Sequence, residues 1–528
     1  MGERQKERIL ILGAGVMQGP ALKIAKEMGL ETVAADVDGR APSIPLADRF
    51  ERVDLKDKEG IEALARSLME DGGLAGIMTA GTDFSATAAW AAERLGLPGI
   101  PYETALDASD KERMRRRFRA AGVPSPEFII LNGSPPPDFS LPFSWPAVVK
   151  PVDNMGSRGC RRVDNFAELR DALADALKFS RSRRAIVEEY MEGPEFSVDA
   201  LVYSGEITIC GLADRHIFFP PYFIEMGHTM PTDLPLEKAR ALLEVFKAGV
   251  RALGIDNGAA KGDIKLTPKG PMIGEIAARL SGGYMSGWTY PYASGVLPTR
   301  GAIQICLGKK PDRLEPEKTW TCAERAFISI PGKVLSIHGI DEASSIPGVK
   351  DLFLRIEQGS SVIFPENNVT KCGNVISAAA GREEAVRSAE EAARAVLIRL
   401  EAPNRATAAF LAAFPQEAAW GAFPPDAFPL DGELLSLLEA LEEGSPAGKK
   451  GEPALLPFPA LVSSDLRDYM GRGVEESLAA VRRLSGLTLP PALPGEDRPL
   501  LGRGFWAALV RGGYQGALYY IDCLGLVP

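Results

Sequence analysis

Histidine and cysteine are scarce in this chain, and so is positive charge. Its 528 residues hold three histidines and six cysteines. The cysteines lie far apart, at Cys160, Cys210, Cys306, Cys322, Cys372 and Cys523, with no CxxC pair. That spacing excludes a zinc finger and a disulfide framework, and a reducing cytoplasm is the expected compartment. No stretch approaches the roughly 20 apolar residues of a membrane helix. The start, MGERQKERILILGAG, has too short an apolar run for a secretion signal and no cleavage site after it. A net charge of −10 excludes a general nucleic-acid or anionic-membrane binder, which needs a basic field. It leaves room for one anionic ligand held by a few local cations. Hydrophobic residues at 45% and charged residues at 25% are those of a globular protein with a sizeable core, divided by its length into several units.

Strand and helix patterns alternate at the start. Ile9–Leu12 is an apolar run ending in Gly13-Ala14-Gly15, followed by a helical pattern from Gly19 to Met28 and a strand at Thr32–Ala35 closed by Asp36. Ile61–Asp71 reads as helix, Gly76–Thr79 as strand and Ala86–Leu95 as helix. This predicts a parallel, doubly wound α/β unit over 1–108. Mixed α+β patterns follow over 109–310: helix Asp110–Ala121, strand Glu127–Leu131, a loop with Pro135-Pro136-Pro137, strand Ala147–Lys150, helix Phe166–Leu177 and strand Ala185–Tyr190. Strands Phe196–Tyr203 and Glu206–Leu212 form a hairpin about Ser204-Gly205, a long loop with two histidines runs from Asp214 to Pro235, and helix Leu236–Leu253 follows. Residues 320–400 alternate short strands with a helix near Arg382–Leu400; beyond 401 the pattern is mostly helical, with linker-like stretches at Gly444–Pro453 and Pro490–Arg498.

The segment from Lys261 to Gly283, KGDIKLTPKGPMIGEIAARLSGG, is the most informative. Pro268-Lys269-Gly270 is a turn signal between two extended runs. With the turn near Lys269, Asp263 and Glu275 sit opposite each other, about 5 Å apart at Cβ. Like charges so placed repel unless a cation lies between them. Alternation adds Lys265 and Arg279 to this face and puts Ile264, Leu266, Met272 and Ile276 on the other, with Ile273 as an exception. Oxygen ligands of this kind suit Mg²⁺, with phosphates completing its shell, and an arginine beside them can hold a phosphoryl group bidentately. A solvated face of paired charges is the alternative for this segment taken alone.

Lys150 ends an apolar strand and precedes the loop Pro151–Gly159, whose glycines let backbone N–H groups approach phosphate oxygens. No GK[ST] ends it, so it is not a Walker A loop. The run IVEEYM, Ile186–Met191, breaks at Gly193-Pro194, where a chain leaving a strand can offer a carbonyl and an N–H to an adenine edge; Glu195 follows, placed to accept from ribose hydroxyls.

In this order and spacing the segments resemble the ATP-grasp superfamily over residues 1–320. The resemblance implies that Lys111, in SDKERMRRRFRAAGVPSPE, and Lys150, in AVVKPVDNMGSRG, are phosphate-binding cations, and that the following loop, Ser157 included, covers the nucleotide. Glu188 and Met191 match the hinge that reads adenine, Glu195 the ribose acid, Asp263 and Glu275 the metal carboxylates, and Arg279 the arginine after them. Many members place an asparagine ligand where this chain has Ala277. A narrower resemblance, to the L-amino-acid ligase branch, rests on FIEMGHTMP at Phe223–Pro231 and ERAFISIPGKVLSIHGI at Glu324–Ile340; it implies that Glu225 and His228 contact the amino-acid substrate and the phosphoryl group. His216 and His338 read as structural.

The implied protein is an ATP- and Mg²⁺-dependent carboxylate–amine ligase, with Mn²⁺ an alternative metal, acting through an acyl phosphate on an amino acid or similar small carboxylate. The expected divisions are a pre-ATP-grasp Rossmann-like domain at 1–108, an ATP-grasp domain at 109–320, a small α+β C-terminal module at 321–400 and a helical extension at 401–528. Expected partners are the carboxylate and amine substrates, with no nucleic acid or membrane and a homodimer left open. Three other readings stand beside it. One is a carboxylase or carbamoyl-phosphate-type enzyme activating bicarbonate. Another is a non-catalytic nucleotide sensor, which Ala277 keeps open. The third is a Rossmann dehydrogenase, suggested by GAGVMQG and Asp36, although the spacing GxGxxxG misplaces the third glycine.

Overall fold

The computed structural model describes residues 6–135, 139–414, 423–445, 451–493 and 497–526. Pro136, Pro137 and parts of both linker-like stretches lie outside the described residues. The chain divides into two compact units, one of residues 1–217, 227–324 and 378–385, the other of 218–226, 325–377 and 386–528.

The first unit begins with β1 (Arg8–Leu12), α1 (Gly19–Glu27), β2 (Glu31–Asp36), β3 (Arg49–Arg52), α2 (Lys58–Glu70), β4 (Gly76–Thr79) and α3 (Ser85–Leu95). The strands form a parallel sheet in the order β3-β2-β1-β4. The continuous apolar run of β1 is what burial on both faces requires. Ile9 and Ile11 pack with Ala21 and Leu22 of α1, while Leu10 and Leu12 pack with Ile61 and Leu68 of α2 and Ala88 of α3.

Next come α4 (Tyr102–Ser109), α5 (Lys111–Ala120), β5 (Phe128–Leu131), β6 (Ala147–Pro151), β7 (Arg161–Val163), α6 (Phe166–Phe179) and β8 (Ala185–Glu189). Asp110 caps α5 by accepting from the Arg113 N–H, and Asn165 caps α6. The strands make an antiparallel sheet ordered β5-β8-β6-β7. A second antiparallel array is built from β9 (Glu195–Tyr203), β10 (Glu206–Phe218), β11 (Ile224–Met230), α7 (Leu236–Leu253), β12 (Gly258–Thr267) and β13 (Gly270–Ala277), with strand order β13-β12-β9-β10-β11. Phe246 and Val250 of α7 and Phe118 of α5 bury Phe196, Ile264, Ile273 and Ile276 on one face. The other face carries the charged residues.

Two expectations are corrected here. The segment 214–235 is not one loop: β10 runs on to Phe218, and β11 occupies Ile224–Met230. Its mixed run, Ile-Glu-Met-Gly-His-Thr-Met, shows no regular alternation of apolar and polar residues, because both faces of β11 are largely buried. Met272 is not on the apolar face. Asp263 pairs with Glu275 but Ile264 pairs with Ile273, so Gly274 is an extra residue in β13. This β-bulge reverses the alternation. Ile273 joins the buried face, which explains the exception in the pattern, and Met272 falls opposite Lys265 on the charged face.

The second unit includes the last residues of β14 (Thr321–Phe327), then β15 (Gly332–His338), α8 (Ile340–Ser345), β16 (Val349–Leu354), β17 (Ser361–Val362), most of β18 (Gly373–Ala379), most of α9 (Arg382–Ala395) and β19 (Leu397–Leu400). The helix expected through Leu400 therefore ends at Ala395, and Leu397–Leu400 pairs with β15 instead. Beyond it, helices Arg405–Ala412, Gly432–Ala440, Val474–Ser485 and Arg503–Cys523 surround a core of Phe428, Leu478, Phe505, Trp506 and Leu509. A short sheet joins Gly444–Ser445, Leu500–Leu501 and Ala454–Leu455, so part of each linker-like stretch is ordered. No helix among the described residues is long and apolar enough to cross a membrane.

Candidate active site

The charged face of the β9–β13 array is the centre of the site. Asp263 and Glu275 face each other across β12 and β13 as the spacing predicts. Three cations neutralise them. The Lys111 ammonium lies 3.4 Å from Glu275, Arg215 lies 3.0 Å from Asp263, and Lys261 pairs with Asp263. Burial alone would push the Glu275 carboxyl up, but Lys111, Lys261, Lys150 and Arg279 hold it at about 2. Two hard carboxylate oxygens in a field of this kind fit a divalent cation completed by phosphate oxygens. Among the described residues no third histidine, cysteine or carboxylate joins them. Ala277 pairs with Lys261 and has no side-chain oxygen or nitrogen to offer a metal.

The facing sheet contributes a buried ion triad. Glu188 on β8 is 2% exposed and sits between the Lys150 ammonium at 2.6 Å and the Arg115 guanidinium at 2.8 Å. Burial would raise its pKa, and these two cations depress it below the ordinary value. Arg115 also donates to the Gly274 carbonyl at the bulge, at 2.5 Å, so one side chain ties α5 to both sheets. Lys111 donates to the Asn154 carbonyl at 2.8 Å, anchoring the start of the glycine loop. In that loop Gly156, Ser157 and Gly159 all have positive φ, a conformation that turns successive N–H groups to one side.

Beyond β8, Met191 accepts a hydrogen bond from Lys265 at 3.1 Å through its carbonyl, and among the described residues its N–H has no partner. Glu195 pairs with Arg215 and lies 3.8 Å from Lys265. Lys111, Lys150, Glu188, Glu195, Asp263 and Glu275 thus belong to one connected set of charges. Arg279, 8% exposed, donates to the Leu280 carbonyl and has a buried Nε without a partner among the described residues.

His228 and Glu225 are separated by the strand that carries them. Side chains three apart on a strand point to opposite faces. His216 and Thr229 meet at 2.9 Å, which fixes that face; His228 and Met230 take the other, shared with Arg215. Met230 confirms this, because its sulfur and the Tyr290 ring flank Gly211, which pairs with Asp199 on the charged side. His228 Nδ1 lies 2.9 Å from Glu324 Oε2. Glu225 falls on the Thr229 face, its N–H donating to Asn368 and its carbonyl accepting from Lys371.

Four residues near the site were not singled out from the sequence. Arg215 becomes visible once β10 is extended, because it pairs with Glu195. Asp83 follows β4; burial pushes its pKa up, against the nearby Arg279 and Lys111. Asp199 on β9 is 2% exposed and bonds to Ser281; burial raises its carboxyl to about 6 despite Ser281, Lys261 and Arg279. Glu324 lies on β14. Only the tertiary pairing brings Asp83 and Glu324 to this region, and no local motif marks them.

The first glycine turn is closed. Gln18 donates to the Ala80 carbonyl and accepts from the Gly15 N–H at 2.9 Å, and a Cβ on Gly13 would meet its side chain at 2.9 Å. Asp36 accepts from the Ala14 N–H at 2.8 Å. The groups that would bind a dinucleotide are engaged within the protein.

Residues 143–287 match the ATP-grasp domain family, and residues 326–401 match the L-amino acid ligase C-terminal domain 2. The chain is 25% identical over 388 residues to the uncharacterized protein y4rH of Sinorhizobium fredii, covering 72% of this chain and 80% of that protein. It is 26% identical over 332 residues to carnosine synthase 1 of Gallus gallus, covering 57% of this chain but only 35% of that protein. The crystal structure of the L-amino acid ligase from Bacillus licheniformis shares the fold, with a TM-score of 0.67 and 22% identity over 76% of this chain and all of that one. The two domain matches fall on the elements described above and show an ATP-grasp domain followed by an L-amino acid ligase C-terminal domain, which supports an ATP-dependent ligase with the ATP and Mg²⁺ standard for ATP-grasp ligases.

Proposed function

We infer that this enzyme joins the carboxylate of an amino acid or similar small acid to an amine through an acyl phosphate. The observation that carries this reading is the convergence of Lys111, Lys261 and Arg215 on the opposed pair Asp263 and Glu275. ATP would lie between the β5–β8 sheet and the charged face of β9–β13. The Met191 N–H would meet the adenine edge, Met272 would pack on the ring face, and Glu195 would accept from the ribose. Lys111, Lys150 and the Ser157 loop would bind the phosphates, and Arg279 would hold the transferring phosphoryl group. Mg²⁺ on Asp263 and Glu275 supplies charge neutralisation between the phosphates when bound.

A substrate carboxylate oxygen attacks the γ-phosphorus and ADP leaves. The amine then attacks the acyl carbon, loses a proton and expels inorganic phosphate. No covalent protein nucleophile is required. His228, on the charged face, donates to the phosphoryl oxygens of the acyl phosphate. Residues 1–108, 109–320, 321–400 and 401–528 are the corresponding divisions of the chain. The six cysteines form no disulfide among the described residues, which suits a reducing cytoplasm.

The test is ADP release with MgATP and an equimolar mixture of the proteinogenic L-amino acids. Asp263→Asn and Glu275→Gln preserve volume and remove a metal ligand, so each abolishes turnover while the far-ultraviolet circular dichroism stays unchanged. Near-wild-type release by either variant at saturating Mg²⁺ refutes the assignment. Release that requires bicarbonate rather than an amino acid supports the carboxylase reading instead.

A further inference from the structure

We propose that Glu324 is a positioning residue that acts on the reaction through His228. This rests on the reading of His228 as the donor to the phosphoryl group. The pair is made in the interior: both residues are 1% exposed, and Nδ1 lies 2.9 Å from Oε2. A carboxylate only accepts, so the proton of this bond sits on Nδ1. Two consequences follow for the other ring nitrogen. The ring cannot turn over without breaking a buried charge-assisted bond, so Nε2 is held in one direction. With Nδ1 bonded to Glu324, Nε2 can donate to a phosphoryl oxygen only when it carries a proton as well, so the ring that donates there is the imidazolium facing the carboxylate.

Strand geometry sends this pair to the charged face. Thr229 is bound to His216 on the opposite side, so its neighbour His228 shares a face with Met230 and, through Gly211, with Asp199 and Tyr290. From β11 to β12 is three strand spacings, about 14 Å, a distance that a triphosphate and a bound carboxylate together can span. A histidine fixed there by a buried acid is suited to a developing negative charge at the far end of the nucleotide. A surface histidine would need no such brace.

The experiment separates position from fold. His228→Asn keeps a donor near Nδ1 for Glu324 but lacks Nε2, and Glu324→Gln keeps the volume but removes the charge. With MgATP and the amino-acid mixture, each lowers kcat by about 10- to 100-fold, as loss of an outer partner of a functional histidine does, and the KM for ATP is unchanged. The double variant is no slower than His228→Asn alone, because Glu324 has nothing left to act through. In ¹⁵N-histidine-labelled protein, wild type shows a downfield, slowly exchanging imidazole N–H resonance that is missing in His228→Asn and displaced in Glu324→Gln.

Additive losses in the double variant, or an unchanged resonance in Glu324→Gln, overturn the proposal. Full activity of His228→Asn refutes the role of His228 itself, whatever the resonance shows. Equal rises in the KM for ATP and for amino acids in Glu324→Gln reveal a structural acid and also overturn it.

Discussion

Lys150→Ala is the perturbation that the structure prices most closely. Lys150 is not an idle surface lysine: its ammonium lies 2.6 Å from Glu188, and its side chain is 14% exposed. An ammonium has three donors, so it can hold Glu188 with one and phosphate with the others. Losing a charge-assisted phosphate contact costs about 1.5–3 kcal/mol, which is about 10- to 150-fold in Kd. The fold is affected less. Glu188 keeps Arg115 at 2.8 Å, so the variant avoids an unpaired buried carboxylate, whose exposure to the interior costs about 3–5 kcal/mol. The pH of measurement follows from the sign of the shift. Glu188 is depressed below 4.5, so its stabilising contribution is complete above that pH and fades on acidification; titrations belong at neutral pH. Calorimetry with MgADP, AMP and adenosine is the assay. The variant weakens MgADP by the stated factor and leaves adenosine unchanged. Equal weakening of adenosine and MgADP, or unchanged MgADP affinity, refutes the phosphate role and leaves Lys150 as a partner of Glu188 only.

Asp199 makes the stability of the enzyme pH-dependent. Its carboxyl is raised from 3.8 to about 6, so the native state holds an extra proton between these values and loses stability as pH rises through about 6. Asp199→Asn removes that dependence, gaining about 3 kcal/mol relative to wild type across the window; urea unfolding from pH 4 to 7.5 measures it, and a pH-independent difference refutes it. NADH produces no saturable fluorescence change, because Gln18 and Asp36 occupy the glycine turn; micromolar binding would reopen the dehydrogenase reading.

Local pattern was enough for much of the molecule. The apolar run of β1, the caps at Asp110 and Asn165, the helix Leu236–Leu253 and the turn at Lys269 are each set by residues within a few positions of one another. The register of that turn alone, with Thr267 opposite Gly270 and Ile264 opposite Ile273, would put Gly274 opposite Asp263; the extra residue at Gly274 is what brings Glu275 there. Tertiary structure decided what depends on partners far away. The bulge at Gly274 is held by the Arg115 guanidinium, and it alone moves Met272 to the charged face. The strand character of 224–230 depends on neighbours that bury both of its sides, so a run that mixes Ile and Met with Glu, Gly, His and Thr read as a loop. That change puts Glu225 and His228, which the resemblance had given neighbouring roles, on opposite faces of β11. The bonds from Glu324 to His228 and from Asp199 to Ser281 join residues 96 and 82 positions apart. The chain's sequence specifies the strands that carry such residues, but their meeting is set by the order of strands across the sheet, which hydrophobic periodicity does not encode.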